Sequence, residues 1–223
     1  MTLHLQRDLE NLKDQLLSMG RLVETVSNQA ITALQERNAD LCAGVHELDL
    51  SIDQQEVKIE EECLKILALH QPVATDLRFV ICAMKVNNDL ERMGDLAINI
   101  AERAQYLSSH DPLGVPLDFH RMAELAREMV EESLNALLNL DTTLARKVLA
   151  MDDEVDEINR QMFEILEEIM LKDPTTIRRA IHLLSASRHL ERIADLATNI
   201  AEDVVFLVEG EVIRHLPEDY NRA

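Results

Sequence analysis

The chain has 223 residues, with 42 acidic against 22 basic side chains for a net charge of −20, and it is 3% aromatic with no tryptophan and five glycines. Such an excess of negative charge repels DNA or RNA rather than gathering it, and the aliphatic, glycine-poor composition favours packed helices over a β-sandwich or barrel. Cys42, Cys63 and Cys82 lack metal-type spacing and read as reduced core thiols. The start lacks a secretory pattern and the apolar runs reach only about six residues, so a soluble, intracellular, cytoplasmic protein is expected.

From Leu5 to Ala33 the apolar positions Leu5, Leu9, Leu12, Leu16, Met19, Val23, Val26, Ala30 and Ala33 alternate by three and four, which predicts a long bundle helix. Arg37-Asn38-Ala39-Asp40 interrupts it, with Asn38 as the N-cap of a second helix running to about His70 through Leu41, Val45, Leu48, Ile52, Ile59 and Ile66. Gln71-Pro72 ends that helix. A third is expected to begin there, with Pro72 in its first turn and Leu77, Val80, Met84, Leu90, Met93, Ala97, Ile100 and Ala104 buried.

Residues 108–116 hold two prolines, a glycine and two serines and mark a connection. The plan then repeats. Met122, Ala126, Met129, Ser133 and Ala136 predict a fourth helix, and Leu144, Val148, Val155, Met162, Ile165 and Ile169 a fifth after Asp141-Thr142-Thr143. Asp173 as N-cap and Pro174 in the first turn open a sixth, reaching about Glu209, and residues 216–223 read as a polar tail. No run alternates as a strand should. The expectation is an all-α chain of two tandem three-helix bundles, spanning 1–110 and 117–212.

The repetition is also literal. Leu90-Glu91-Arg92-Met93-Gly94-Asp95-Leu96-Ala97-Ile98-Asn99-Ile100-Ala101-Glu102 returns at 190–202 with ten of thirteen positions identical. Chance would give about one match in such a window, so an internal duplication follows.

Glu91, Asp95, Asn99 and Glu102 fall within roughly 80° on a helical wheel, away from the apolar stripe. An isolated acidic stripe is usually a solvated face. Here the preceding helix adds acids in matching register: Asp53 and Glu91 are each 19 residues from Pro72, and Asp49 and Asp95 are each 23 away. In an antiparallel hairpin, residues equidistant from the turn sit side by side. The second copy agrees, with Asp156 facing Glu191 and Asp152 facing Asp195 across the turn at Asp173-Pro174.

Four neighbouring anions repel unless a cation or protons compensate them. Metal ions at Asp49, Asp53, Glu91 and Asp95 and at Asp152, Asp156, Glu191 and Asp195 are the economical account, with Asn99 and Asn199 offering carbonyl oxygens. Such hard donors suit Mg²⁺, Mn²⁺, Ca²⁺ or an iron cluster over Zn²⁺ or copper. The competing account is an ion-pair network built on Arg92, Arg192, Arg78 and Arg178. No histidine follows a glutamate at the Glu-x-x-His spacing of di-iron bundles; His182 and His189 read as core or surface residues, and no nucleophile elbow, P-loop or Rossmann pattern is present.

Two copies of a three-helix unit, each with Glu-Arg-x-x-Asp-x-x-x-Asn on its last helix and Asp-x-x-x-Asp on the one before, resemble the PhoU family of phosphate-transport accessory proteins. The resemblance covers nearly the whole chain. It implies paired three-helix bundles whose (Glu/Asp)-x-x-x-Asp motifs bind metals, including multinuclear iron clusters, at the eight acids named above. It further implies a cytoplasmic, dimeric adaptor, not an enzyme, that represses the phosphate-starvation regulon by linking the ATPase subunit of the phosphate ABC transporter to the sensor histidine kinase. Contact with the membrane would then run only through those partners. In the second copy Ala194 replaces Gly94 and Thr198 replaces Ile98, which alters how closely a partner helix approaches. The alternative is a metal-dependent hydrolase or phosphatase using the same carboxylates to activate water; no repeated His or Lys supplies its base or substrate clamp.

Overall fold

The computed structural model describes residues 3–210 and 212–213. Six long helices follow in order: α1 (Leu3–Glu36), α2 (Ala39–His70), α3 (Ala74–Ser108), α4 (Phe119–Asn139), α5 (Thr142–Lys172) and α6 (Ile177–Glu209), with a 3₁₀ turn (Pro174–Thr176) before the last. Among the described residues there is no strand. The expected tail at 216–223 lies outside the described residues.

Capping chemistry sets the boundaries. Asn38 accepts a hydrogen bond from the Asp40 amide at 3.0 Å, Asp141 from Leu144 at 3.0 Å and Asp173 from Thr175 at 3.0 Å, each satisfying a helix-start N–H. Asp118 does the same for α4 through the Arg121 amide. At the other end, α6 stops at Gly210, whose φ of 77° is the left-handed conformation that glycine adopts without a Cβ clash.

Two boundaries depart from expectation. Asp173 caps the 3₁₀ turn Pro174–Thr176 rather than α6, which begins only at Ile177 after Thr176. Pro72 is not in the first turn of α3, because Gln71 turns left-handed at φ 45° and a short connection runs to Ala74 before the helix begins. Leu77, expected in the core, is then 39% exposed. It precedes the point where the bundle closes over α3, whose first buried residues are Phe79 and Val80.

All nine apolar residues predicted for α1 are buried, as are Val80, Leu90, Met93, Ala97, Ile100 and Ala104 on α3. Met84, Leu41, Leu48 and Leu144 pack only partly against this core. Fully burying each Leu, Ile or Met contributes about 1.5–3 kcal/mol, so aliphatic packing along these stripes dominates the fold.

Within each repeat the three helices pack on one another: α1 against α2 and α3, and α4 against α5 and α6. The repeats join through α3 against α6 and α1 against α4, while α2 and α5 do not touch. Thus α3 and α6, the two helices bearing the duplicated motif, lie side by side at the middle of the molecule. The hairpin partners α2 and α5 flank them.

Candidate metal centres and the cleft between the repeats

The two hairpins hold the acids at matching positions. Asp53, Asp95, Asp156 and Asp195 are exposed, whereas Asp49, Glu91, Asp152 and Glu191 are half-buried. The stretches 91–100 and 191–200 repeat one burial pattern residue for residue. Gly94 lets α2 come close to α3, since a Cβ there would stand 3.2 Å from Asp49 Oδ1 and 3.0 Å from Ile52 Cδ1.

The charges feel one another across each hairpin. Burial, and then the negative charges of Asp53 on its own helix and Asp95 on α3, push the Asp49 carboxyl above its ordinary range. Burial raises Glu91 likewise, helped by Asp95 and by Asp53, Glu56 and Asp49 on α2. In the second hairpin burial is the largest cause at Asp152, with Asp156, Asp195, Asp153 and Glu191 adding to it, and the carboxyl is pushed up to about 7. Burial also raises Glu191, with Asp195 and Asp156 next, against the opposing charges of Arg188 and Arg192; it raises Asp195 too, with Asp156 next, against Arg192. Each hairpin is therefore a place where a positive charge is wanted.

Arginine does not supply it by direct pairing. None of the ion pairs within 4 Å among the described residues includes any of the eight acids, or Arg92, Arg192 or Arg178. Arg78 instead donates through Nε to the Leu207 carbonyl at 3.2 Å and through Nη2 to Thr75 Oγ1. Among the described residues the ion-pair account therefore lacks any direct contact, although Arg92 and Arg192 stand near Asp95 and Asp195.

A hard cation suits the donor set. Asp152 Oδ1 is buried with no hydrogen-bond partner, an arrangement that costs free energy for an ionised oxygen unless something compensates it. Asn99 Nδ2 donates to the Asp95 carbonyl at 2.8 Å, which leaves its Oδ1 as an acceptor. The carboxylates stand as repelling neighbours; among the described residues no three His, Cys, Asp or Glu side chains converge as a ready coordination shell.

The structure also brings together residues that the sequence treats as belonging to separate sites. Arg92, Asp95, Leu96 and Asn99 of α3 and Arg192, Asp195, Leu196 and Asn199 of α6 line one cleft of ≈ 350 Å³. Every lining residue has its counterpart one hundred positions away. The clue available in the sequence was the Arg kept in both copies. Placing the two arginines together requires knowing that the motif helices pack on each other.

Between the same helices the duplication is broken on either side. Lys85 Nζ meets Asp203 Oδ1 at 3.0 Å. Their counterparts are Ser185 and Arg103, and near these the Tyr106 ring stacks between His110 at 4.2 Å and His182 at 3.6 Å. Divergence between copies hides such pairs from any repeat-based reading.

A model of the PhoU domain matches residues 16–104 and again 119–204. A PhoU homolog of the phosphate-specific transport system from Aquifex aeolicus is 43% identical over 209 residues, covering 94% of this chain and 95% of its own. The crystal structure of PhoU from Pseudomonas aeruginosa superposes with a TM-score of 0.89 at 39% identity, covering 92% of this chain and 99% of that one. The phosphate transport system regulatory protein PhoU from Streptococcus pneumoniae gives 0.87 at 30%, covering 93% and 98%. Two matched domains, near-complete coverage and a shared all-α architecture together establish that this chain belongs to the PhoU family.

Proposed function

We propose that the protein is an accessory protein of a phosphate-specific transport system and acts as a negative regulator of the phosphate-starvation response. The observation behind this reading is similarity along almost the full chain to proteins named for that system. In this reading it is a cytoplasmic homodimeric adaptor that couples the ATPase subunit of the phosphate ABC transporter to the sensor histidine kinase. Among the described residues no helix is long and apolar enough to cross a membrane, which suits a protein that reaches the membrane through partners.

The two carboxylate hairpins are the regulatory metal sites of this proposal. Asp49, Asp53, Glu91 and Asp95, with Asn99, would hold one cation or iron cluster; Asp152, Asp156, Glu191 and Asp195, with Asn199, the other. A bound Mg²⁺, Mn²⁺ or iron ion supplies positive charge that offsets the repulsion within each hairpin. The chain's own part is to fix α2 to α3 and α5 to α6 in the register that keeps the acids adjacent.

Deleting the protein in its host tests the function directly. Phosphate-regulon expression that no longer falls in high phosphate is expected, and normal repression in the deletion strain would refute the assignment. Elemental analysis of chelator-free protein, joined to thermal melting with added Mn²⁺ or Mg²⁺, tests the metals. No bound metal and no stabilisation would remove them from the account.

A further inference from the structure

Arg92 and Arg192 stand in the cleft between α3 and α6 with no ion pair and no hydrogen bond among the described residues. Asp95 lies three residues from Arg92 and Asp195 three from Arg192, the spacing at which helical arginines commonly pair with acids. Neither pair forms. In a chain of net charge −20, two guanidiniums thus face one confined space, each with its donors uncommitted.

We propose that this cleft holds a tetrahedral oxyanion, inorganic phosphate, bridged by Arg92 from one repeat and Arg192 from the other. The guanidinium presents a planar fork of N–H donors that matches two oxygens of such an anion, and two forks related by the duplication would engage it from opposite sides. The volume of ≈ 350 Å³ accommodates the anion with bridging water. Asn99 and Asn199 line the same space with side-chain amides.

Asp95 and Asp195 set the charge of the cleft. With both bare, two carboxylates cancel two guanidiniums and the anion gains little from long-range attraction. With cations at the hairpins, the arginines dominate. This coupling rests on the proposed metal sites, and it is reciprocal: a cation that strengthens phosphate binding is itself bound more tightly in the presence of phosphate.

Isothermal titration of the full chain with inorganic phosphate, at ionic strength held constant with NaCl and with or without Mg²⁺, reads the site. The wild type is expected to bind, more tightly when Mg²⁺ is present. Arg92→Gln and Arg192→Gln should each weaken binding at least tenfold, and the double variant should abolish it. Arg92→Lys keeps the charge but loses the fork, and it should fall between the wild type and Arg92→Gln. Unchanged melting in chloride shows that the variants fold. No phosphate binding by the wild type in either condition overturns the proposal, as does equal affinity in the double variant. Mg²⁺ binding that depends on the acids without any phosphate binding refutes the oxyanion site alone. Arginine-dependent phosphate binding without any response to Mg²⁺, Mn²⁺ or iron supports the oxyanion site and refutes the metal sites.

Discussion

A Cβ placed on Gly94 would stand 3.2 Å from Asp49 Oδ1, so α2 meets α3 at the candidate metal centre with no room to spare. The second repeat has Ala194 at the equivalent position, buried like Gly94. Gly94→Ala gains about 1 kcal/mol of helix propensity and loses a similar amount through crowding of Ile52 and Asp49. Chemical denaturation should therefore show a change within about 1 kcal/mol, while the cation response of the first hairpin weakens. Ala194→Gly loses helix propensity and the packing of a fully buried methyl, and should destabilise by about 1–2 kcal/mol.

Asp152 offers a sharper test of repulsion. Its Oδ1 is buried without a hydrogen-bond partner, and four other acids of the hairpin act on it. Asp152→Asn keeps the shape and removes the charge, so the cation-free protein should melt higher at pH 8 than the wild type. The same variant should gain less from Mn²⁺. A lower melting temperature in the cation-free variant would show that the ionised carboxylate is already compensated.

The pH dependence follows from the same group. Burial and like charges raise the Asp152 carboxyl from 3.8 to about 7, so the folded chain holds this proton more tightly than the unfolded one. Its contribution is full below about pH 4 and is lost as the pH rises through about 7. Burial raises Asp49, Glu91, Glu191 and Asp195 in the same direction. The melting temperature of cation-free protein should fall from pH 5 to pH 8, and Asp152→Asn should flatten the upper part of that slope.

Lys85 tests the join between repeats. Its ammonium meets Asp203, whose side chain is 2% exposed, and Cys82 Sγ contacts the Asp203 carbonyl at 3.6 Å. Removing the cation from a buried carboxylate is costly, although Lys85 itself remains 40% exposed and Asp203 has further interactions. Lys85→Ala should cost about 2 kcal/mol in denaturation, and the double variant with Asp203→Asn should recover part of that loss.

The helices, several of their caps and the hairpin register are legible in the order of residues alone. Those features are local: periodicity decides which face is apolar, Asn38, Asp141 and Asp173 satisfy helix-start amides, and counting from a turn fixes which residues are neighbours. The adjacency of Asp49 to Asp95 and of Asp152 to Asp195 was legible for that reason. The tertiary structure decided which helices of the two repeats meet. Packing α3 on α6 placed Arg92 and Arg192 in one cleft and paired Lys85 with Asp203 across 118 positions. These relationships depend on how two amphipathic surfaces dock, which helical period does not encode.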